Sequence, residues 1–176
     1  RQTSLSKPHR LCGGVVLLFA ASALVVSAKA QPPATTLAVL PIKLLDTSAE
    51  PKDQTAEHRL RLQTIAAELT SDLGSLGRYR TVPVLAEDVQ RTCTKETTEC
   101  LLSMARSQGA ELVFVGVVHK SSTLIMQMWA RIVDARTGGV LFSTELNFRG
   151  DNDEAWHRAE AFLTNQIREA APQVQR

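Results

Sequence analysis

Residues able to do chemistry are sparse in this chain of 176 residues. Beyond residue 30 the histidines are His58, His119 and His157, and no two stand at ligand spacing. Neither a glycine-rich phosphate loop, nor Gly-x-Ser-x-Gly, nor His-Glu-x-x-His occurs. No nucleophile–base pair can be named, so the sequence points away from an enzyme, with no catalytic residue and no cofactor. Cys93 and Cys100 are the remaining reactive pair. Cys-x6-Cys alone lacks the ligands of a zinc site, and an even pair in an exported chain reads as a disulfide. Free thiols are the alternative. The loop closed is short, so its stabilisation should stay below the ~3 kcal/mol of a somewhat longer loop.

Candidate binding residues come from strand ends. Residues 37–40 and 112–118 are continuous apolar runs, as expected of strands buried on both faces. In open α/β sheets ligands favour the carboxyl ends of strands. Asp46, Thr47, His119 and Lys120 follow these runs and would share a rim. Asp46, His119 and Lys120 are therefore the candidate ligands for a small molecule or a metal. The plain alternative is a set of loop residues at the water boundary, and no dedicated metal site is read. His58 and His157 fall near helix starts and read as solvated. Met126, Met128 and Trp129, at strand spacing, read as core and sheet face.

The elements that position these residues follow from periodicity. Residues 54–76 carry Leu62, Ile65, Ala66, Leu69, Leu73 and Leu76 at spacings of three and four, an amphipathic helix with Asp53 or Thr55 at its start and Gly77 at its stop. Residues 79–84 form a short strand broken at Pro83, and 85–94 hold at most a helical turn. A second helix runs from Thr97 or Thr98 to about Gln108, with Leu101, Met104 and Ala105 inward and Gly109 ending it. Gly116 interrupts the 112–118 strand and marks a bulge or a close approach. His119-Lys120-Ser121-Ser122 reads as a turn. Residues 124–133 and 140–149 alternate as antiparallel strands joined by the 134–139 turn. Asp151-Asn152-Asp153-Glu154 is a capping cluster for a last helix with Trp156, Ala159, Leu163, Ile167 and Ala170 on one face.

The order β-α-β-α-β-β-β-α predicts an α/β (mixed α+β) fold. Right-handed crossovers make the first three strands parallel, and the last two add an antiparallel meander. This gives a mixed sheet of about five strands covered by three helices.

Charge is divided unevenly. Residues 1–30 carry Arg1, Lys7, Arg10 and Lys29 and no acid, although the whole chain is +2. Removing those four from 20 basic residues leaves 16 against 18 acidic ones, a net −2. No basic footprint for nucleic acid remains. A basic stretch over 1–10, an apolar run over 11–26 and Ala28-Lys29-Ala30 form a secretory signal with cleavage before Gln31. The run is shorter than the ~20 residues that span a bilayer, so no span is expected after cleavage; an uncleaved anchor is the alternative. Residues 31–35 read as a linker, 36–171 as one α/β domain and 172–176 as a tail.

Three stretches carry a resemblance. Leu37-Ala38-Val39-Leu40-Pro41-Ile42, the run from Gly109 to Gly116, and Asp134-Ala135-Arg136-Thr137-Gly138-Gly139-Val140 occur in that order. They resemble the opening strand, the second buried strand and the hairpin of the N-terminal domain of TolB-type periplasmic proteins and of CsgG-type lipoproteins. More narrowly, the chain is similar to a family of small secreted proteobacterial proteins sharing a domain of unknown function. The pair Cys93 and Cys100 and the Trp156 helix fit that narrower group. Neither the propeller of the TolB type nor a lipidated cysteine at residue 31 is present, so those functions do not carry over. The expectation is a periplasmic or secreted accessory protein that binds another envelope protein.

Overall fold

The structure, a computed structural model, describes residues 33–173. The signal segment, its cleavage site, the first linker residues and the end of the tail lie outside the described residues. Strand β1 (Thr35–Val39) is stopped by Pro41, which has no N–H to give to a ladder. The chain then re-enters the sheet as β2 (Lys43–Asp46). Both run parallel to the same neighbour, β4 (Leu112–Lys120): Val39 faces Phe114, and Lys43 faces Val117. β1 and β2 are thus one line of strand with a gap.

Gly116 sits beside that gap. A Cβ there would lie 3.0 Å from the Phe114 ring and 3.3 Å from Ile42 Cγ1. The close approach expected from this glycine is filled by those two side chains.

Helix α1 (Thr55–Ser75) starts behind Asp53, whose carboxylate accepts from the Thr55 amide at 2.9 Å. It buries Ile65, Leu69 and Leu73 and ends at Gly77, whose φ of 73° suits glycine. Strand β3 (Tyr79–Pro83) pairs parallel with β1. The segment read as a turn is helix α2 (Ala86–Thr92), and α3 (Thr98–Ser107) follows, with the Thr97 hydroxyl accepting from the Cys100 amide. The Cys93–Cys100 disulfide is formed, with Cα atoms 5.8 Å apart, and ties the end of α2 to the first turn of α3.

The meander is β4, β5 (Met126–Asp134) and β6 (Val140–Phe148). Its turn rests on Asp134, whose Oδ1 accepts from the amides of Arg136 and Thr137, both at 2.8 Å. Gly138 takes a φ of 71°, where other residues would be strained. Helix α4 (Asp153–Ala170) is capped by Asn152, which accepts from the Ala155 amide at 3.0 Å.

The sheet order is β3-β1-β4-β5-β6, with β2 on β4. The fold is mixed α/β, with four helices and a six-stranded mixed sheet among the described residues, the sixth strand arising from the gap at Pro41. α1 and α4 cover one face over a core holding Leu37, Phe114, Met128, Ile132 and Trp156. α2 and α3 cover part of the other, over Ala38, Val89, Leu102, Ala105 and Val113. Two boundaries move. β4 runs on through His119 and Lys120, so the chain turns at 121–125 instead. In α3 the inward residues are Leu102, Met104 and Ala105, with Leu101 half-buried.

Candidate functional site

Strand alternation sends His119 and Lys120 to opposite faces. Lys120 goes inward and is fully buried. Its Nζ lies 3.0 Å from Glu50 Oε2, 2.5 Å from Gln54 Oε1 and 2.9 Å from Asp151 Oδ2. Asp151, at the entry to α4, is the centre of this cluster. Its Oδ2 also meets His58 Nε2 at 2.7 Å. Its Oδ1 accepts from Arg61 Nη1 at 3.0 Å and from the Trp156 indole at 3.1 Å. Burial pushes the Asp151 carboxyl up, but the hydrogen bonds from His58 and Lys120 outweigh it and hold the carboxyl below its usual range. Burial also disfavours the Lys120 charge, yet its bonds to Asp151 and Glu50 push the ammonium up.

This hub ties together the loop before α1, the first turns of α1, the end of β4 and the start of α4. His58, read from the sequence as solvated, is only 4% exposed and belongs to it. Its ring stands 6.3 Å from that of Trp156, nearly parallel. By sequence Asp151 is one more acid in a capping cluster. Local pattern cannot single it out, because its partners in α1 are remote in the chain: Arg61 by 90 residues and His58 by 93.

His119 goes outward. Its Nε2 lies 2.8 Å from Thr47 Oγ1 and its Nδ1 3.1 Å from Gln127 Oε1. With the Gln127 oxygen accepting, Nδ1 carries the proton and Nε2 accepts from Thr47. A hydroxyl, an imidazole and an orienting group thus stand in line. Gln127 is neutral, so it orients the ring without stabilising an imidazolium as a carboxylate would. The Thr47 hydroxyl is also 3.3 Å from the Lys120 carbonyl, a competing acceptor. Asp46 is exposed, and its Oδ1 is engaged by the amide of Ser48 at 2.9 Å and its hydroxyl at 2.7 Å. Partial desolvation pushes that carboxyl up, and the Ser48 bonds outweigh it. Of the rim residues, the structure brings only Thr47 and His119 into contact; Asp46 pairs in register with Lys120, on the opposite face from His119, and Lys120 itself is sent inside.

The face carrying His119 is only half covered. Beyond α2 and α3, β5 presents Gln127, Trp129 and Arg131, aligned with His119, Val117 and Val115 of β4 and with Asn147, Glu145 and Ser143 of β6. Trp129 stacks on His119 with ring centres 5.4 Å apart and planes 19° from parallel. Leu45 of β2, beside His119, is 46% exposed. Lys43 pairs with Glu96 from the loop between α2 and α3, at the margin of the covered half. A half-buried tryptophan and an exposed arginine are side chains that protein interfaces favour. No helix of the described residues is long and apolar enough to cross a membrane.

Comparison with curated proteins finds no match. Among solved structures the chain is similar to the PelC dodecamer from Paraburkholderia phytofirmans, at 14% identity and a TM-score of 0.54, covering 80% of this chain and 90% of that one. A second PelC dodecamer structure from that organism gives 16% identity and a TM-score of 0.51, with 84% and 95% covered. TolB from Acinetobacter baumannii matches at 18% identity and a TM-score of 0.48, over 83% of this chain and 31% of that one. The PelC likeness concerns the fold alone. Residues 35–167 match DUF3280, described as a protein of unknown function (DUF2380), and the chain belongs to that family.

Proposed function

We propose that the protein is a non-catalytic accessory protein of the bacterial cell envelope that binds another envelope protein through the open half of its sheet. The observation that carries this reading is the uncovered surface of Leu45, His119, Trp129 and Arg131. Sheet faces left bare in a folded domain expose apolar area that a partner can bury. The signal pattern and the Cys93–Cys100 disulfide support export to an oxidising compartment. Among the described residues the Thr47–His119 pair is backed by the neutral Gln127, which favours binding over hydrolysis.

The test is affinity capture from envelope extract with the purified protein and with Trp129→Ala/Arg131→Glu. One co-purifying protein, retained by the parent and lost by the double variant at unchanged melting temperature, is the expected result. Equal recovery by both proteins rejects the face. A second reading places a small ligand or metal at the rim of Asp46, His119 and Lys120, and the exposed Thr47–His119 contact favours it. Lys120, fully engaged inside, would contribute only indirectly. A ligand-dependent rise in melting temperature that disappears in Asp46→Ala/His119→Ala is its signature.

A further inference from the structure

Helices α1 and α4 share one face of the sheet, and their common seam is apolar at Ile65, Leu69, Leu163 and Ile167. It is interrupted where Glu68 of α1 meets His157 and Glu160 of α4. His157 and Glu160 are three residues apart, which puts both on one side of the helix. One ligand atom from each of the three residues lies within 4.8 Å of the others. His157 Nδ1 and Glu68 Oε2 are already 3.1 Å apart. Two ligands of a tetrahedral zinc, each bonded at about 2.0–2.2 Å, stand roughly 3.4 Å from one another.

Glu160 is the independent observation. It is 1% exposed. Its Oε1 accepts from the Thr164 hydroxyl at 2.7 Å, whereas its Oε2 is buried with no hydrogen-bond partner among the described residues. A buried carboxylate oxygen without a partner is costly and rare. Burial pushes this carboxyl up, and the charges of Asp72 and Glu68 push it further against the Thr164 bond. A cation at the cluster would supply both the missing partner and the missing charge. Access exists, because Glu68 and His157 also line a cleft of about 330 Å³ between the two helices.

We propose that Glu68, His157 and Glu160 bind one first-row divalent transition cation, with water completing its shell. Two carboxylates and one imidazole suit zinc and its neighbours; cuprous ion prefers sulfur. Three protein ligands with an open position leave the ion available to water or to a partner's side chain. This site is on the opposite face from Trp129 and does not depend on the interaction reading.

The test is calorimetric titration of the untagged, chelator-treated chain with zinc chloride, paired with melting curves. One zinc per chain is expected, with a higher melting temperature when zinc is in excess. Glu160→Gln, which keeps the Thr164 bond, and His157→Ala, which removes an exposed side chain, should each weaken zinc by about tenfold or more. Absence of binding at millimolar zinc overturns the proposal. So does unchanged affinity in both variants, because the zinc would then sit elsewhere.

Discussion

Asp151 holds four partners on two oxygens, drawn from α1, β4 and α4. Removing one member of a buried ion pair leaves the other uncompensated, at about 3–5 kcal/mol. Asp151→Asn should lose stability of that order in urea denaturation, with Lys120 left to Glu50 and Gln54. The same carboxyl sets a pH dependence. Its folded pKa lies below the unfolded value near 3.8. Its contribution is therefore present above that value and is lost as pH falls through the folded one. The urea midpoint of the parent should drop on acidification below about pH 4, and Asp151→Asn should show a flatter acid limb. None of this hub was legible in the sequence. Lys120 reads as a turn residue because Lys-Ser-Ser is polar, and only the distant carboxylates of Glu50 and Asp151 make a buried lysine tolerable there.

Among the elements, the strands and the two long helices were legible because their periodicity is strong. Leu69 and Leu73, Trp156 and Leu163 all sit where their spacing put them. The hairpin was legible because Asp134 and Gly138 carry its turn chemistry locally. Helix α2 was not, since seven residues give too few turns for a stripe. The gap in the first strand was half legible: Pro41 announced the break, but the return as β2 depends on the register of β4. Gly116 guards that gap. Gly116→Ala should cost about 1–3 kcal/mol through overpacking against Phe114 and Ile42, read from urea midpoints. The disulfide acts within one short loop, so Cys93→Ser/Cys100→Ser should cost less than about 3 kcal/mol, and thermal melting under reducing conditions should show a shift of the same size.

At the scale of the molecule, the two faces of the sheet are unequal. One is sealed by α1 and α4, with the Asp151 hub at one end of their seam and the Glu68–His157–Glu160 cluster further along it. The other is closed over β1, β3 and the start of β4, and left open over β2, the end of β4 and the first half of β5. The alternation of residues 124–133 puts Trp129 and Arg131 on a mixed face, but the extent left uncovered depends on how far α2 and α3 reach across the sheet, which periodicity alone does not give. The central claim is that this open half is the working surface. Site-specific photo-crosslinking in cells tests it most directly, with the photoreactive residue placed at 129 or 131 and, as control, at 162 on the exposed side of α4. A discrete adduct to one envelope protein is predicted from 129 and 131, and none from 162. Adducts from 162 alone, with 129 and 131 silent, would contradict it.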